Sequence, residues 1–337
     1  MDIYKKIKNL QNNVELPHPE YLSDLLQRVN KVLENENSII DSLIYRPLNS
    51  KNKIGSLLDF SDSITTIIVP DLHARTDFLP LLLDYKFPIN EREVSVYEAL
   101  EKGEVRIICL GDGLHGESRV KERWIAAYED FLYLEKETSE PLQEEMAEGL
   151  TTMAMVMECK CAFPYNFHFL KGNHENITNS NEHGNMPFAK YAYEGQMCYQ
   201  FMKSYYGLPI VASYSRFEKL LPIFVRGTNY LASHAEPIRD FSLKEIKDGA
   251  LKSEVIYGLT WTKNDEAPSD TVPKMISNLL NDSSVFYFGG HRPVMNKKYN
   301  LRGNGKFVQI HNPEEMNIAI IQPNKIFNPE QDIKSII

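Results

Sequence analysis

Paired cysteines, long apolar runs and an excess of positive charge are all missing from this sequence. Its four cysteines, Cys109, Cys159, Cys161 and Cys198, lack the C-x-x-C pairing of a structural zinc site, and four in 337 residues make no disulfide scaffold. Cys159 and Cys161 lie two apart in a helix-like stretch and so point to different faces. We read all four as core thiols in a reducing compartment. No run approaches the ~20 apolar residues of a membrane span, and residues 1–10 are polar and basic without an apolar signal core. A cytoplasmic protein without membrane contact is therefore expected. The formal net charge of −9 and pI of about 5.6 exclude a broad attraction for nucleic acid. An anionic substrate would need a local positive centre, which bound divalent cations can supply on an acidic protein.

What is present fits a globular chain: 42% of residues are hydrophobic and 25% charged. Residues 1–60 read as an N-terminal helical extension, with an apolar stripe at Leu22, Leu25, Leu26, Val29, Val32 and Leu33 that packs on a main domain at 61–337. From residue 63 short β-rich runs at 64–69, 105–110 and 167–170 alternate with helical patterns at 77–85, 118–136, 142–161 and 187–206, the rhythm of βαβ units. After residue 220 the texture turns to strand pairs at 223–226 and 230–233, a strand at 285–288 and two closing strands at 306–311 and 317–322, which reads as richer in antiparallel pairing. No repeat, low-complexity tract or long Pro/Gly/Ser linker divides the chain.

Five of these runs end in groups that bind metals: Asp71-Leu-His73, Gly111-Asp112, Gly172-Asn173-His174-Glu175, Ser233-His234 and Gly290-His291. Each alone is a weak signal, since an Asp-x-His is usually a capped loop beside a surface imidazole. Together they are strong, because in α/β sheets function gathers beyond the carboxyl ends of the strands, where loops distant in sequence meet. The donor set mixes oxygen and imidazole without thiolate, which suits Mn²⁺, Fe or Zn²⁺. It exceeds the needs of one tetrahedral ion, so two divalent ions sharing a carboxylate are the natural arrangement.

This series resembles the calcineurin-like metallophosphoesterases, and within them the phosphoprotein phosphatase branch, which reads GDxHG, GDxxDRG, GNHE, HGG and GH. The corresponding stretches here are Pro70-Asp71-Leu72-His73-Ala74, Gly111-Asp112-Gly113-Leu114-His115-Gly116-Glu117, Gly172-Asn173-His174-Glu175, His234-Ala235-Glu236 and Gly290-His291-Arg292. The likeness spans about residues 60–325. It implies an α/β fold, a four-layer αββα sandwich of two mixed sheets flanked by helices. It also implies that Asp71 and His73 hold the first metal, that Asp112 bridges, and that Asn173, His234 and His291 complete the second. By the same resemblance a metal-bridging hydroxide attacks phosphorus while His174, off the metals, protonates the leaving oxygen. The substrate is then a phosphorylated one, first a Ser/Thr phosphoprotein and alternatively a nucleotide, dinucleotide polyphosphate or small metabolite; a catalytically weak metal-binding interaction protein is the reading from another class.

The sequence departs from that pattern in two places. His115 stands where the family has the Asp that pairs with its general-acid histidine, and Gly116 replaces the following Arg. Either His115 pairs with His174, or Glu117 supplies the missing carboxylate, or His115 only packs. The arginine clamp is altered too, leaving Arg75, Arg119, Arg226 and Arg292 as candidates to bind phosphate. His311 falls where many relatives carry a Ser-Ala-Pro-Asn-Tyr element; it is within reach of the site but is read first as a loop residue, while His18, His168 and His183 are read as structural.

Overall fold

The computed structural model describes residues 2–37, 44–89, 92–181 and 184–337; His183 lies outside them. Helices α1 (Ile3–Asn12) and α2 (Pro19–Glu34) come first, then strand β1 (Leu57–Asp59). The next stretch runs β2 (Thr65–Val69), α3 (Phe78–Asp84), β3 (Lys86–Ile89), β4 (Arg92–Ser95), α4 (Val96–Glu101), β5 (Val105–Cys109), α5 (Lys121–Tyr133), α6 (Glu140–Ala162) and β6 (Phe167–Phe169). Helices α7 (Glu194–Tyr206) and α8 (Leu208–Leu220) lead to β7 (Phe224–Arg226) and β8 (Tyr230–Ser233), followed by α9 (Leu243–Lys247), α10 (Ser253–Thr260) and α11 (Thr271–Leu280). The chain closes with β9 (Phe286–Gly289), β10 (Asn300–Arg302), β11 (Phe307–Gln309), β12 (Asn317–Ile321), α12 (Pro329–Asp332) and β13 (Ile333–Ser335). Among the described residues no helix is long and apolar enough to cross a membrane.

Thr-Thr-Ile-Ile-Val in β2 and Val-Arg-Ile-Ile-Cys in β5 are β-branched and buried along their length, as a strand covered on both faces requires. They pair in parallel, Ile67 with Ile107 and Ile68 with Ile108, at the centre of a five-stranded sheet ordered β13-β12-β2-β5-β6. The two-residue period then sorts side chains by face. Ile67, Ile107, Phe167 and Ile318 join a core with the apolar faces of helices that include α2, α6, α7 and α8. Ile68, Ile108, Ala319 and Ile321 meet Leu58, Val225, Ala232, Phe288 and Val308 of a six-stranded sheet ordered β1-β7-β8-β9-β11-β10. The outer face of that second sheet, with Leu57, Phe224, Leu231, Tyr287 and Phe307, is covered by Ile246, Val255, Leu259, Met275 and Ile276 of α9, α10 and α11. Helix, sheet, sheet and helix thus form the four layers expected of the αββα sandwich.

Several local expectations change. The helix expected over 187–206 begins at Glu194, whose carboxylate accepts the Lys190 and Tyr191 amides at 2.8 and 2.6 Å and holds residues 187–193 in a loop. A further helix, α8, follows Gly207, whose φ of +82° turns the chain where only glycine adopts such a conformation freely. The closing strands form but separate: β11 joins β9 in the second sheet and β12 lies antiparallel to β2 in the first. Antiparallel pairing holds for β7–β8, β10–β11 and β12–β13, whereas β8–β9 is parallel because helices including α10 and α11 cross over between them, and β9–β11 is parallel because the chain passes through β10 before β11.

The segment before residue 60 is tied in by more than apolar contact. Glu36, 3% exposed, takes Lys160 of α6 at 2.5 Å and pairs with Arg46, which also donates to the carbonyls of Gly55 and Leu220. Burial alone would raise the Glu36 carboxyl, but Lys160 and Arg46 hold it well below the usual carboxylate range. Glu36→Gln strands two buried cations and is expected to cost ~3–5 kcal/mol, read as a lower urea midpoint at unchanged slope. Because the folded value is depressed, this contribution is complete above the unfolded Glu value of about 4.3 and is lost as pH falls towards the folded one. Acidification below about pH 4 should therefore destabilise the wild type more steeply than the variant; parallel acid profiles would remove the assignment.

Candidate metal centre

The carboxyl ends of β2, β5 and β6 in one sheet and of β8 and β9 in the other open onto the same point. The loops after them are bound to one another before any side-chain chemistry begins. The His73 and Ala74 amides donate to the carbonyls of Asp112 and Gly113 at 2.7 and 2.8 Å. The Glu175 carboxylate accepts three backbone N–H groups: Asp112 at 2.9 Å, Gly113 at 2.9 Å and Gly172 at 2.6 Å. His73, Asp112 and His291 all have positive φ, of +44°, +51° and +63°, a region non-glycine residues occupy only when the surroundings dictate it. Glycines are required where the loops touch: a Cβ on Gly172 would stand 2.1 Å from Asp112 Oδ1, and one on Gly290 1.9 Å from Asp71 Oδ1.

Asp71, His73, Asp112, Asn173, His234 and His291 are all brought to this point. His73 uses Nδ1 on the His115 carbonyl at 3.0 Å, which leaves a lone pair on Nε2. That nitrogen faces Glu117 Oε1 at 3.4 Å, Asp71 Oδ2 at 3.7 Å and Asp112 Oδ2 at 4.0 Å. His234 likewise uses Nδ1 on the Leu110 carbonyl at 3.0 Å, and its Nε2 faces Asn173 Oδ1 at 2.9 Å and Asp112 Oδ2 at 3.4 Å. His291 Nδ1 stands 2.9 Å from the same Asn173 oxygen, and the His291 amide donates to Asp71 Oδ2 at 2.9 Å. Asp71 Oδ1 is buried without a hydrogen-bond partner.

Acceptors that face acceptors in a buried place call for positive charge between them. Burial drives the Asp112 carboxyl well above its usual range, and the charges of Glu175 and Asp71 push the same way. Burial would lower His73, yet Glu117, Asp71 and Asp112 outweigh it and raise the imidazole. Three donor groups have their atoms within 4.8 Å of one another: Asp71, His73 and His311; His73, Asp112 and His174; and Asp112, His234 and His291. The shared members make the groups adjacent, and the oxygen and imidazole donors fit one or more divalent cations.

His174 sits at the edge of this cluster. Its amide donates to Asp112 Oδ1 at 3.0 Å, its Nε2 is 3.5 Å from Asp112 Oδ2, and its ring lies 3.5 Å, centroid to centroid, from Phe188 in the loop before α7. Burial pulls the His174 imidazole well below its ordinary value, with His115 and His73 adding to the effect. The His115 ring meets His174 edge-on at 5.1 Å, packs near Trp124 and Phe188, and has no partner on either nitrogen. Burial holds it down to about 3, with His73 contributing. Glu117 turns away from this pair, with Oε1 near His73 and Oε2 3.1 Å from His311 Nε2.

A cavity of about 300 Å³ opens beside Asn173, His174 and His291, walled by Phe188, Trp261, Lys190, Lys263 and Arg292. Of the four arginines singled out in the sequence, Arg292 lines this cavity. Arg119 bonds the Ala74 carbonyl and Glu148 at 2.9 and 2.7 Å, Arg226 forks onto Asp59 at 2.7 Å, and Arg75 is half-buried outside the cavity wall. Sequence reasoning missed Lys190 and Lys263, and reads His311 as within reach of the site but first as a loop residue. The first two lie in loops without a motif. His311 follows the end of β11 in the same way that His291 follows β9, so the strand-end signal was available for it. His168 is a core histidine bound to Lys160 and the Tyr165 carbonyl, and the cysteines are free thiols.

No family model and no curated protein sequence matches the chain. Among solved structures it is similar to a serine/threonine phosphatase from Saccharomyces cerevisiae, described as similar to human phosphatase PP5. The TM-score is 0.56 at 13% identity, over 94% of this chain and 88% of that one. A cold-active protein tyrosine phosphatase of a psychrophilic Shewanella species overlaps at a TM-score of 0.47 and 12% identity, over 79% of this chain and 77% of that one. The first of these likenesses establishes the fold: the chain has the two-sheet phosphoprotein phosphatase architecture.

Removing the Glu175 carboxylate leaves the amides of Asp112, Gly113 and Gly172 buried without acceptors. Glu175→Ala is therefore expected to cost roughly 3 kcal/mol or more, a large loss for one residue. Equilibrium urea unfolding checks it, and a midpoint within error of the wild type would show that the three loops do not depend on this carboxylate.

Proposed function

We propose that this chain is a calcineurin-like metallophosphoesterase that hydrolyses phosphate monoesters at two divalent cations, held by Asp71, His73, Asp112, Asn173, His234 and His291. The observation that carries this reading is the pair of imidazole lone pairs, His73 Nε2 and His234 Nε2, that both face oxygen acceptors around Asp112 Oδ2. Bound there, the cations would lower the pKa of an attacking water and neutralise phosphoryl oxygens; Mn²⁺, Fe and Zn²⁺ suit this donor set.

The chain's own residues supply the rest. Lys190, Lys263 and Arg292 on the cavity wall bring positive charge to a phosphate otherwise met by an acidic protein. In this reading His174, beside Asp112 at the cavity, gives its proton to the leaving oxygen. In the family pattern a carboxylate stands beside this histidine; here the neighbour is His115, a neutral imidazole that does nothing to favour the charged form. A serine/threonine phosphoprotein is the first substrate reading, in line with the motif resemblance. Phe188 and Trp261 on the cavity wall offer aromatic surface to a second, a nucleotide.

Manganese-dependent hydrolysis of p-nitrophenyl phosphate is expected, falling roughly 10³-fold in Asp112→Asn as several kcal/mol of charge stabilisation are lost. Undiminished turnover in that variant, or none in the wild type, would end the proposal. Rates on a phosphoserine peptide, a nucleoside monophosphate, a diester and a dinucleotide polyphosphate rank the substrate classes. The general acid is lost as pH rises through the pKa of His174, so this pKa sets the alkaline limb of the rate profile. His115→Asp places a negative charge beside His174 and should move that limb to higher pH by about one unit or more; an unmoved limb would show that residue 115 does not tune His174.

A further inference from the structure

The first cation position has more side chains around it than the motif series provides. Beyond Asp71, His73 and Asp112, the chain returns to it after β11 with His311, which is 1% exposed and whose ring lies 5.2 Å, centroid to centroid, from that of His73. A ring nitrogen of His311 stands within 4.8 Å of both a ligand oxygen of Asp71 and a ligand nitrogen of His73. The His311 carbonyl accepts the Val294 amide at 2.7 Å, which fixes this loop to the one carrying His291. The remaining side chain is Glu117: one oxygen is 3.1 Å from His311 Nε2 and the other 3.4 Å from His73 Nε2, so a single buried carboxylate spans both imidazoles.

Resting on the two-cation reading above, we infer that His311 is a further protein ligand, through Nδ1, of the cation held by Asp71, His73 and Asp112, and that Glu117 is the positioning carboxylate that orients the His311 imidazole through Nε2. A buried histidine kept only for packing would be matched by apolar neighbours and one or two neutral hydrogen bonds. His311 instead closes a ring of two carboxylates and two imidazoles with Asp71, His73 and Glu117. Carboxylates that orient metal-bound imidazoles are a recurrent device, and their loss weakens metal binding about 10–100-fold. A second imidazole also gives this position a nitrogen content that Mg²⁺ does not favour and that Co²⁺, Zn²⁺, Fe²⁺ and Mn²⁺ accept.

The test uses the full chain, stripped of metal and titrated with Co²⁺, with bound metal counted by elemental analysis and ligand-field absorption followed in parallel. Wild type should bind two ions, both of which resist exchange by excess Mg²⁺, because each position then has two imidazoles. His311→Ala should lose or weaken by about 100-fold one ion only and change the visible spectrum, and Glu117→Gln should weaken the same ion about 10–100-fold. Two ions bound by His311→Ala with wild-type affinity and spectrum would overturn the assignment of His311 and leave the two-cation reading standing. No stoichiometric binding by the wild type would overturn both. Should His311→Ala fail to fold, anomalous diffraction from the Co²⁺-loaded wild type decides: a His311 nitrogen at about 2.0–2.2 Å from the first ion supports the assignment, and one beyond about 3 Å removes it.

Discussion

Two imidazole nitrogens, His73 Nε2 and His234 Nε2, face oxygen acceptors where donors would be expected, and much of the molecule is arranged around that demand for positive charge. Such an arrangement is unfavourable by itself, because buried acceptors gain nothing from one another and the Asp112 carboxylate is opposed by both burial and its neighbours. It persists because the backbone is over-determined. Glu175 ties the second and third strand loops together, the first loop hangs from the second through two amide bonds, and three ligand-type residues accept positive φ.

Two packed sheets are what allow those loops to meet. The inner core of Ile68, Ile108, Val225, Ala232, Phe288 and Val308 holds the sheets face to face, so the ends of β2, β5 and β6 lie beside those of β8 and β9. Helices close the outer faces, and the early helices are part of this packing: α2 buries Leu22, Leu25, Leu26, Val29 and Leu33, and Glu36 is clasped by Lys160 and Arg46. The positive side chains at the cavity, Lys190, Lys263 and Arg292, come from three separate loops and give an acidic chain a local place for an anion.

Much of the architecture could be read along the chain because it is locally encoded. Runs such as Thr-Thr-Ile-Ile-Val and Val-Arg-Ile-Ile-Cys have one stable use, a strand covered on both faces, and the Asp, Asn and His residues that follow them can stand only at its end. The reading failed where the deciding contact is distant or small. The loop at 187–193 has a helix-like composition, yet Glu194 binds two of its amides and Phe188 is placed on His174. β1 is three residues long and acquires its meaning from Leu57–Asp59 pairing with β7, some 170 residues away. Nothing in the sequences of β11 and β12 assigns them to different sheets.

The sequence by itself determined the α/β class and the donor types at five strand ends, since both follow from side-chain periodicity and from chemistry carried within a few residues. Only the tertiary structure decided which cations face the cavity, that Glu117 lies with His73 and His311 and apart from His174, and that His115 is buried against His174 with no partner of its own. The physical reason is separation along the chain. Each of those outcomes depends on distances between side chains brought together by sheet packing, and such distances leave no trace in local sequence.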